Sequence, residues 1–349
     1  MKKVMGLLTV LFLLLGATAC ADNTGNEETG GDNGETGGSE GQDSNGESEA
    51  DAETNSDYPE EPIEIIVPFA AGGGTDSVAR VLSESLAPIL DEEITVVNRE
   101  GGSGANGMNE GLNAEPDGHT LTLVTREVVS LPLQGTAPFE PMDFKYVANV
   151  NEDPAVLVVS GKSDYESVDD LIKALQDNPG EMNFAASTVP NYYGIQFSEN
   201  TDVEFNTVPY QGASPAITEI LGGGADFGIY NPGEVKLQVE SGDLRPLAVM
   251  ADERFSGFED VPTFEEEGYA IESGTYRGVA VPPETPDSIV ATLEGAIQEA
   301  VETEEFQDFM EESFLGIGYY NSEEFKEMIQ ADEETLKPII EIANEKAEQ

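Results

Sequence analysis

Apolar and polar positions along this chain follow two rhythms. Residues 63–69 form a compact β-branched run, and 75–90 then place Val78, Leu82, Leu86 and Leu90 at the four-residue step of a helix face. Strands are predicted over 94–97 and 121–124, the second introduced by the Asp117-Gly118 turn. Two more strand-like runs, 146–150 and 155–159, are split by Asp153-Pro154. The pattern continues with a helix over 168–175, a strand over 183–186 entering a Ser-Thr-rich loop, and a helix over 193–199. A helix over 214–221 stops at Gly222-Gly223-Gly224 and is followed by strands over 227–230, 247–250 and 278–281. Acidic amphipathic helices over 288–302 and 322–343 close the chain. Repeated strand–helix alternation predicts open α/β sheets, with ligands at the carboxyl ends of the strands.

The first sixty residues follow neither rhythm. Lys2 and Lys3 precede an apolar run over 4–15, and Gly16, Ala17, Thr18 and Ala19 lead into Cys20. This reads as a secretory signal segment, too short to span a bilayer stably. Cys20 is the only cysteine in 349 residues, so no internal disulfide forms. A lone thiol after a small-residue site resembles the bacterial lipobox, whose cysteine is acylated, although Ala17 stands where that pattern usually has Leu. The alternative is an ordinary signal peptide with an incidental cysteine. Two or more acyl chains would hold the protein on a membrane. Residues 21–57 carry twelve Asp or Glu and no Lys or Arg among Gly, Asn, Ser and Thr, a composition predicted to be a disordered acidic tether.

Residues 58–349 are enough for two lobes with separate cores, and no further apolar run reaches transmembrane length. The formal charge is −55, of which the tether supplies −12. So acidic a body excludes nucleic acid as a partner, since phosphate binding needs basic patches. It also repels anions, a penalty that 1 M salt largely removes by shortening the screening length to about 3 Å. The charge reads as adaptation of an outward-facing protein to a salty or alkaline setting.

Candidate chemistry begins at Val67-Pro68-Phe69-Ala70-Ala71-Gly72-Gly73-Gly74-Thr75-Asp76. A buried strand runs into glycines and then into Thr75, a competent helix N-cap. Glycines admit close approach to the backbone, and the helix start offers unpaired N–H groups, an anion site without a cationic side chain. No Gly-Lys-Ser/Thr follows, which excludes a Walker-type phosphate loop. A purely structural β–α turn is the other reading.

At this point the sequence resembles the substrate-binding proteins of tripartite tricarboxylate transporters, the TctC or Bug-like family. The resemblance is carried by VPFAAGGGTDSVAR (67–80), VVNREGGSGANG (96–107), EPDGHTLTLV (115–124), VPYQGASPAITEILGGGADF (208–227), SGDLRPLAVM (241–250), DVPTFEEEGY (260–269) and VAVPPETPDSIVATLEGAI (279–297). It implies a two-lobed periplasmic-binding-protein-like fold of type II with the ligand cleft between the lobes. It also implies a receptor, not an enzyme, that captures a di- or tricarboxylate or related small acid and hands it to transporter membrane subunits, without a cofactor. One ligand carboxylate would sit on Ala70, Ala71, Gly72, Gly73, Gly74, Thr75 and Asp76, and the distal end on Ser187, Thr188 and Asn191. Tyr210, Asn231 and Tyr276 complete the expected ligand set.

The chain departs from the family pattern at Pro190-Asn191-Tyr192-Tyr193, at Tyr276-Arg277-Gly278 and at Thr125-Arg126-Glu127, all where ligand identity would be set. Arg126 fits a clamp on a carboxylate and equally an ion pair with Glu127 or another of the seventy acids. Gly102 to Gly107 matches G-x-G-x-x-G, but no acid ends a second strand some twenty residues on, so no dinucleotide site is expected. His119 is the only histidine and lies in a turn far from any Ser or Cys motif. Glu265-Glu266-Glu267 reads as a solvated face and not a metal site. The expected lobes are 58–154 with 276–349, and 155–275, in a monomer. The rival classes are a ligand-sensing subunit of a signalling system and, on similar lobes, a hydrolase or lyase.

Overall fold

The computed structural model describes residues 58–188, 190–210 and 212–347. The predicted signal segment, Cys20 and the acidic tether lie outside them. β1 (Ile63–Val67) leads through the glycine loop to α1 (Gly74–Leu90) and β2 (Ile94–Asn98). A short 3-10 turn at Gly102–Gly104 opens α2 (Ala105–Leu112), followed by β3 (Thr120–Thr125), α3 (Glu127–Leu133) and β4 (Lys145–Pro154). The chain then builds β5 (Val156–Ser160), α4 (Val168–Asp177), β6 (Asn183–Ala186), α5 (Tyr192–Thr201) and β7 (Asn206–Pro209). α6 (Ala213–Gly222), β8 (Phe227–Tyr230), α7 (Pro232–Glu240) and β9 (Leu244–Val249) follow. β10 (Gly274–Val281), α8 (Asp287–Val301), α9 (Glu304–Glu312), β11 (Ile317–Tyr320) and α10 (Ser322–Ala347) end the described chain.

Two sheets organise these elements into two lobes. The first has six strands in the order β11-β4-β10-β3-β1-β2, and the second five in the order β7-β6-β8-β5-β9. β1 pairs in parallel with both β2 and β3, and helices cover both faces of its sheet, which is why Ile63, Ile65, Ile66 and Val67 are all buried and only Glu64 interrupts the apolar run. Alternation is cleaner in the second sheet: Leu157 and Val159 face one core, Val156 and Val158 the other. Val78, Leu82 and Leu86 of α1 are fully buried, as their spacing predicts.

The lobes are joined where β4 runs into β5 and where the segment after β9 returns as β10. These crossings form one ribbon. Gly274 lies opposite Pro154, the Ala155 N–H donates to Ser273 O at 2.8 Å, and the Met250 N–H donates to Ala155 O at 2.8 Å. A third strand of chain, residues 313–316, runs between the lobes. Leu315 enters the core of the first lobe, while the Phe314 ring packs edge-on against Phe258 of the second, with ring centroids 5.2 Å apart. The Lys236 ammonium lies 4.4 Å from the centre of the Phe314 ring.

Several boundaries differ from the sequence expectation for local reasons. The first strand ends at Val67 and not Phe69, since Pro68 brings no N–H to a ladder. β4 continues through Asp153-Pro154, which therefore lie within the crossing strand and do not interrupt it. β9 begins at Leu244, three residues ahead of the predicted start. α2, α3, α7, α9, β7 and β11 were not predicted, each being nine residues or shorter.

Candidate ligand-binding cleft

A cavity of about 280 Å³ lies between the lobes. The first lobe contributes Ser103, Arg126, Glu127 and Gln134 to its wall. From the second come Ser187, Thr188, Asn191, Tyr192, Tyr193, Asn231 and Glu234. These residues meet because they follow strands at their carboxyl ends: Arg126 follows β3, Ser187 to Asn191 follow β6, and Asn231 follows β8. Helices α3, α5 and α7 therefore begin at this wall. Asn191 caps α5, its Oδ1 accepting from the Gly194 N–H at 2.9 Å. At α7 the Asn231 N–H donates to Glu234 Oε2 at 2.9 Å in a capping box. Converging helix starts bring partial positive charge into the cavity without a lysine.

Two phenols dominate the wall from the second lobe. Tyr192 Oη accepts from Gln134 Nε2 across the cleft, and Tyr193 Oη donates to Asn231 Oδ1 at 3.1 Å. Burial pushes the Tyr192 phenol up to about 12 and that of Tyr193 higher still, so both stay neutral. Glu234 is open to the cavity, yet its position deep between the lobes strips bulk water from the carboxyl and raises its pKa.

Arg126 reaches the wall already paired. Its partner is Asp332 of α10, not Glu127: Nε lies 3.1 Å from both carboxylate oxygens and Nη2 2.7 Å from Oδ1. Nη1 donates to Ser273 Oγ and Gly274 O, both at 2.9 Å. Glu127 instead accepts from Thr125 Oγ1. Burial acts to lower the Arg126 pKa, and the Asp332 carboxylate reverses that, keeping the guanidinium charged.

The glycine loop is open at Ala70, Ala71, Gly72 and Gly73. Gly72 has φ +84°, a conformation glycine adopts without strain. Its N–H donates to Asp76 Oδ2 at 2.8 Å, and the same carboxylate accepts from Arg80 Nε at 2.9 Å and Asn98 Nδ2 at 3.0 Å. Asp76, 3% exposed, is thus a brace beneath the loop. Burial alone would raise its carboxyl, but hydrogen bonds from Arg80, Gly72 and Asn98 outweigh it and hold the pKa at about 2. Gly73 is the N-cap of α1 and no side chain caps the helix. Thr75 Oγ1, expected as a cap, accepts from Arg277 Nε at 3.2 Å.

The structure therefore brings Arg126, Ser187, Thr188, Asn191 and Asn231 onto one wall, while Ala70 to Asp76, Tyr210 and Tyr276 do not line it. Tyr276 is buried and donates to Asp332 Oδ2 at 3.2 Å. Tyr210 follows β7, its N–H donating to Ala186 O at 2.9 Å. Sequence reasoning placed Tyr276-Arg277-Gly278 where ligand identity would be set but gave Arg277 no role of its own, and it missed Asn151 and Asp153. The signal of those two was a stripe of period two, since Asn149, Asn151 and Asp153 share one strand face and are 0–1% exposed. Ser103, set aside with the G-x-G-x-x-G run, is a wall residue held at φ +55°. A larger cavity of about 810 Å³ beside α5 carries Glu199, Asp202 and Glu204 and no lysine or arginine, so it suits an anion less well than the cleft. Among the described residues no group of three or more His, Cys, Asp or Glu is placed to hold a metal.

Two sheets joined by paired crossings, with helix starts facing a cavity between them, define a two-lobed solute-binding protein. The family model described as "Tripartite tricarboxylate transporter family receptor" matches residues 78–344, and the chain belongs to that family. The protein BugT of Bordetella pertussis is 34% identical over 254 residues, spanning 70% of this chain and 78% of that protein. A TctC solute-binding protein from Polaromonas superposes with a TM-score of 0.74 at 32% identity, covering 81% of this chain and 99% of its own. An R. palustris protein solved with adipate gives 0.72 at 25% identity, covering 82% and 99%. Members of this family are extracytoplasmic receptors that bind solutes, not enzymes. No helix among the described residues is long and apolar enough to cross a membrane.

The Arg126–Asp332 pair yields a stability prediction. Asp332→Ala leaves a guanidinium 12% exposed without its carboxylate, and unpairing a buried ion pair typically costs about 3–5 kcal/mol. Denaturant unfolding is expected to show a loss of that order for Asp332→Ala and a smaller one for Arg126→Ala with Asp332→Ala. Equal losses would show that the guanidinium left unpaired carries no penalty of its own.

Proposed function

We propose that this chain is a lipid-anchored receptor on the outer face of the cell membrane, capturing a small di- or tricarboxylate or related acid for a tripartite-type transporter. Residues 58–154 with 276–349 and residues 155–275 act as the jaws of a hinged, monomeric clamp. The observation that carries the reading is the convergence of the α5 and α7 starts on the space between the lobes. Backbone N–H groups aimed together at a carboxylate make charge-assisted bonds worth about 1.5–3 kcal/mol each. The adipate-bound relative supports the ligand class. Ligand retained through purification, identified by mass spectrometry, tests the class directly, and a sugar or a metal ion in its place would sink it.

Gly73→Val examines the glycine loop cleanly. A side chain there meets only Ala70 O, at 3.7 Å, and the φ of −85° suits any residue, so folding is expected to be unchanged. Affinity for the acid should fall more than about tenfold as valine blocks close approach, equivalent to losing roughly one charge-assisted bond. Undiminished affinity would remove the loop from the site.

The anchor is tested at Cys20, which lies outside the described residues. Cys20→Ser is expected to move the protein from the membrane fraction to the soluble one, with ligand affinity unchanged; equal membrane association of mutant and native protein refutes the anchor.

Residues 58–349 carry a charge near −45, which repels both itself and an anionic ligand. Folding stability and affinity should both rise from low to near-molar salt. Affinity falling steadily with salt would show that local positive groups dominate the encounter.

A further inference from the structure

We infer that Arg277 is the cationic half of the glycine-loop anion site, so that one ligand carboxylate is held by a guanidinium as well as by backbone N–H groups. The inference rests on the carboxylate-receptor reading above and assigns a side chain to it.

Arg277 lies in β10 and is only 6% exposed, deep enough that its donors must be used. Nε donates to Thr75 Oγ1 at 3.2 Å, and Nη1 donates to Asn151 Oδ1 and to Asp153 Oδ2, the latter at 2.5 Å. Asp153 is in turn fixed by Asn151 Nδ2 at 2.9 Å and by the Gly316 N–H at 2.8 Å. Nη2 makes no hydrogen bond to any described residue. It sits 2.9 Å from the point where a side chain on Gly74 would begin, directly against the first residue of α1. A 17-residue helix whose N-cap has no side chain thus starts beside a buried guanidinium with one fork nitrogen unused.

Tyr193 and Glu234, on the wall of the cleft, lie within electrostatic reach of Arg277, and Glu234 also feels the charge of its partner Asp153. Arginine presents its donors in a planar fork, and one edge can remain with Asp153 while Nη2 takes a carboxylate oxygen. The second oxygen is then left to the N–H groups of Gly73 and Gly74. A buried cation is screened far less than surface charge, so this contact keeps its strength in salt that masks the acidic exterior. Asp153 positions the guanidinium; its own charge is spread onto Asn151 and the Gly316 N–H.

The test compares Arg277→Lys with Gly74→Ala. Lysine keeps a cation for Asp153 but removes the fork. Gly74 has no positive φ, so alanine is tolerated in the backbone while its methyl crowds Nη2. Calorimetric titration at near-molar salt uses linear mono- and dicarboxylates from acetate to adipate, and the primary amide of each. The native protein is expected to bind at least one acid. Both variants should lose about tenfold or more for that acid, the scale of one charge-assisted bond, while the amide changes less than about threefold. Native-like affinity for the acid in Gly74→Ala, or equal losses for acid and amide in both variants, overturns the assignment and leaves Arg277 a structural residue. If Arg277→Lys does not fold, Gly74→Ala alone decides between these outcomes. No acid binding to the native protein overturns the carboxylate reading itself, and this assignment with it.

Discussion

A guanidinium–carboxylate contact between Arg277 and Asp153 ties together the glycine loop, the crossing ribbon and the segment that bridges the lobes. The two residues are 6% and 1% exposed, and they sit on β10 and β4 beside the point where both strands cross between lobes. Burying such a pair is favourable only when its remaining donors and acceptors find partners. Here Thr75, Asn151 and the Gly316 N–H supply them. Thr75 belongs to the start of α1 and Gly316 to the chain between the lobes, so glycine loop, hinge ribbon and bridging segment share one anchor. The loop thereby keeps its position relative to the crossing whatever the second lobe does.

The same economy of charge runs through the cleft. The two arginines that approach it are each paired with an aspartate, Arg126 with Asp332 and Arg277 with Asp153. What remains to attract an anion is short-ranged: helix starts and single unused N–H directions. That division suits a protein so acidic. Long-range attraction is unavailable to it, and in strong salt it would be screened in any case, whereas contacts at hydrogen-bond distance survive.

Much of this was legible in the sequence, and the remainder has a common physical reason for being hidden. The strand–helix rhythm located β1, α1, β8 and the long closing helices because their apolar positions repeat over several turns or alternate cleanly. The strand-to-helix turn at the glycine loop was legible too, because Gly72-Gly73-Gly74 stands between an apolar strand and a helical repeat. Short elements such as α7 were not, although Asn231-Pro232-Gly233-Glu234 carries both a capping box and a proline at the first turn. Side-chain partnerships were the least accessible. Arg277 finds Asp153 across 124 residues, and Arg126 finds Asp332 across 206. Among seventy acids no local rule selects those two.

On the proposed binding mode, ligand discrimination at the distal end follows from what fills the wall there. Ser187, Thr188, Asn191, Tyr192 and Tyr193 offer hydroxyls, an amide and neutral phenols, and Glu127 and Glu234 add acceptors. The phenols cannot ionise in this setting, since burial holds both above their ordinary range. A wall of this kind reads a ligand through hydrogen-bond pattern, and it penalises a group that leaves a buried polar atom unpaired by more than it rewards one extra methylene. Tyr192 adds a second criterion, because its hydroxyl also receives the Gln134 side chain from the facing lobe. The same residue that touches the cavity also spans the cleft. In the proposed clamp, a distal group that displaces the Tyr192 ring would break that bridge, so fit at the wall and contact between the lobes are coupled.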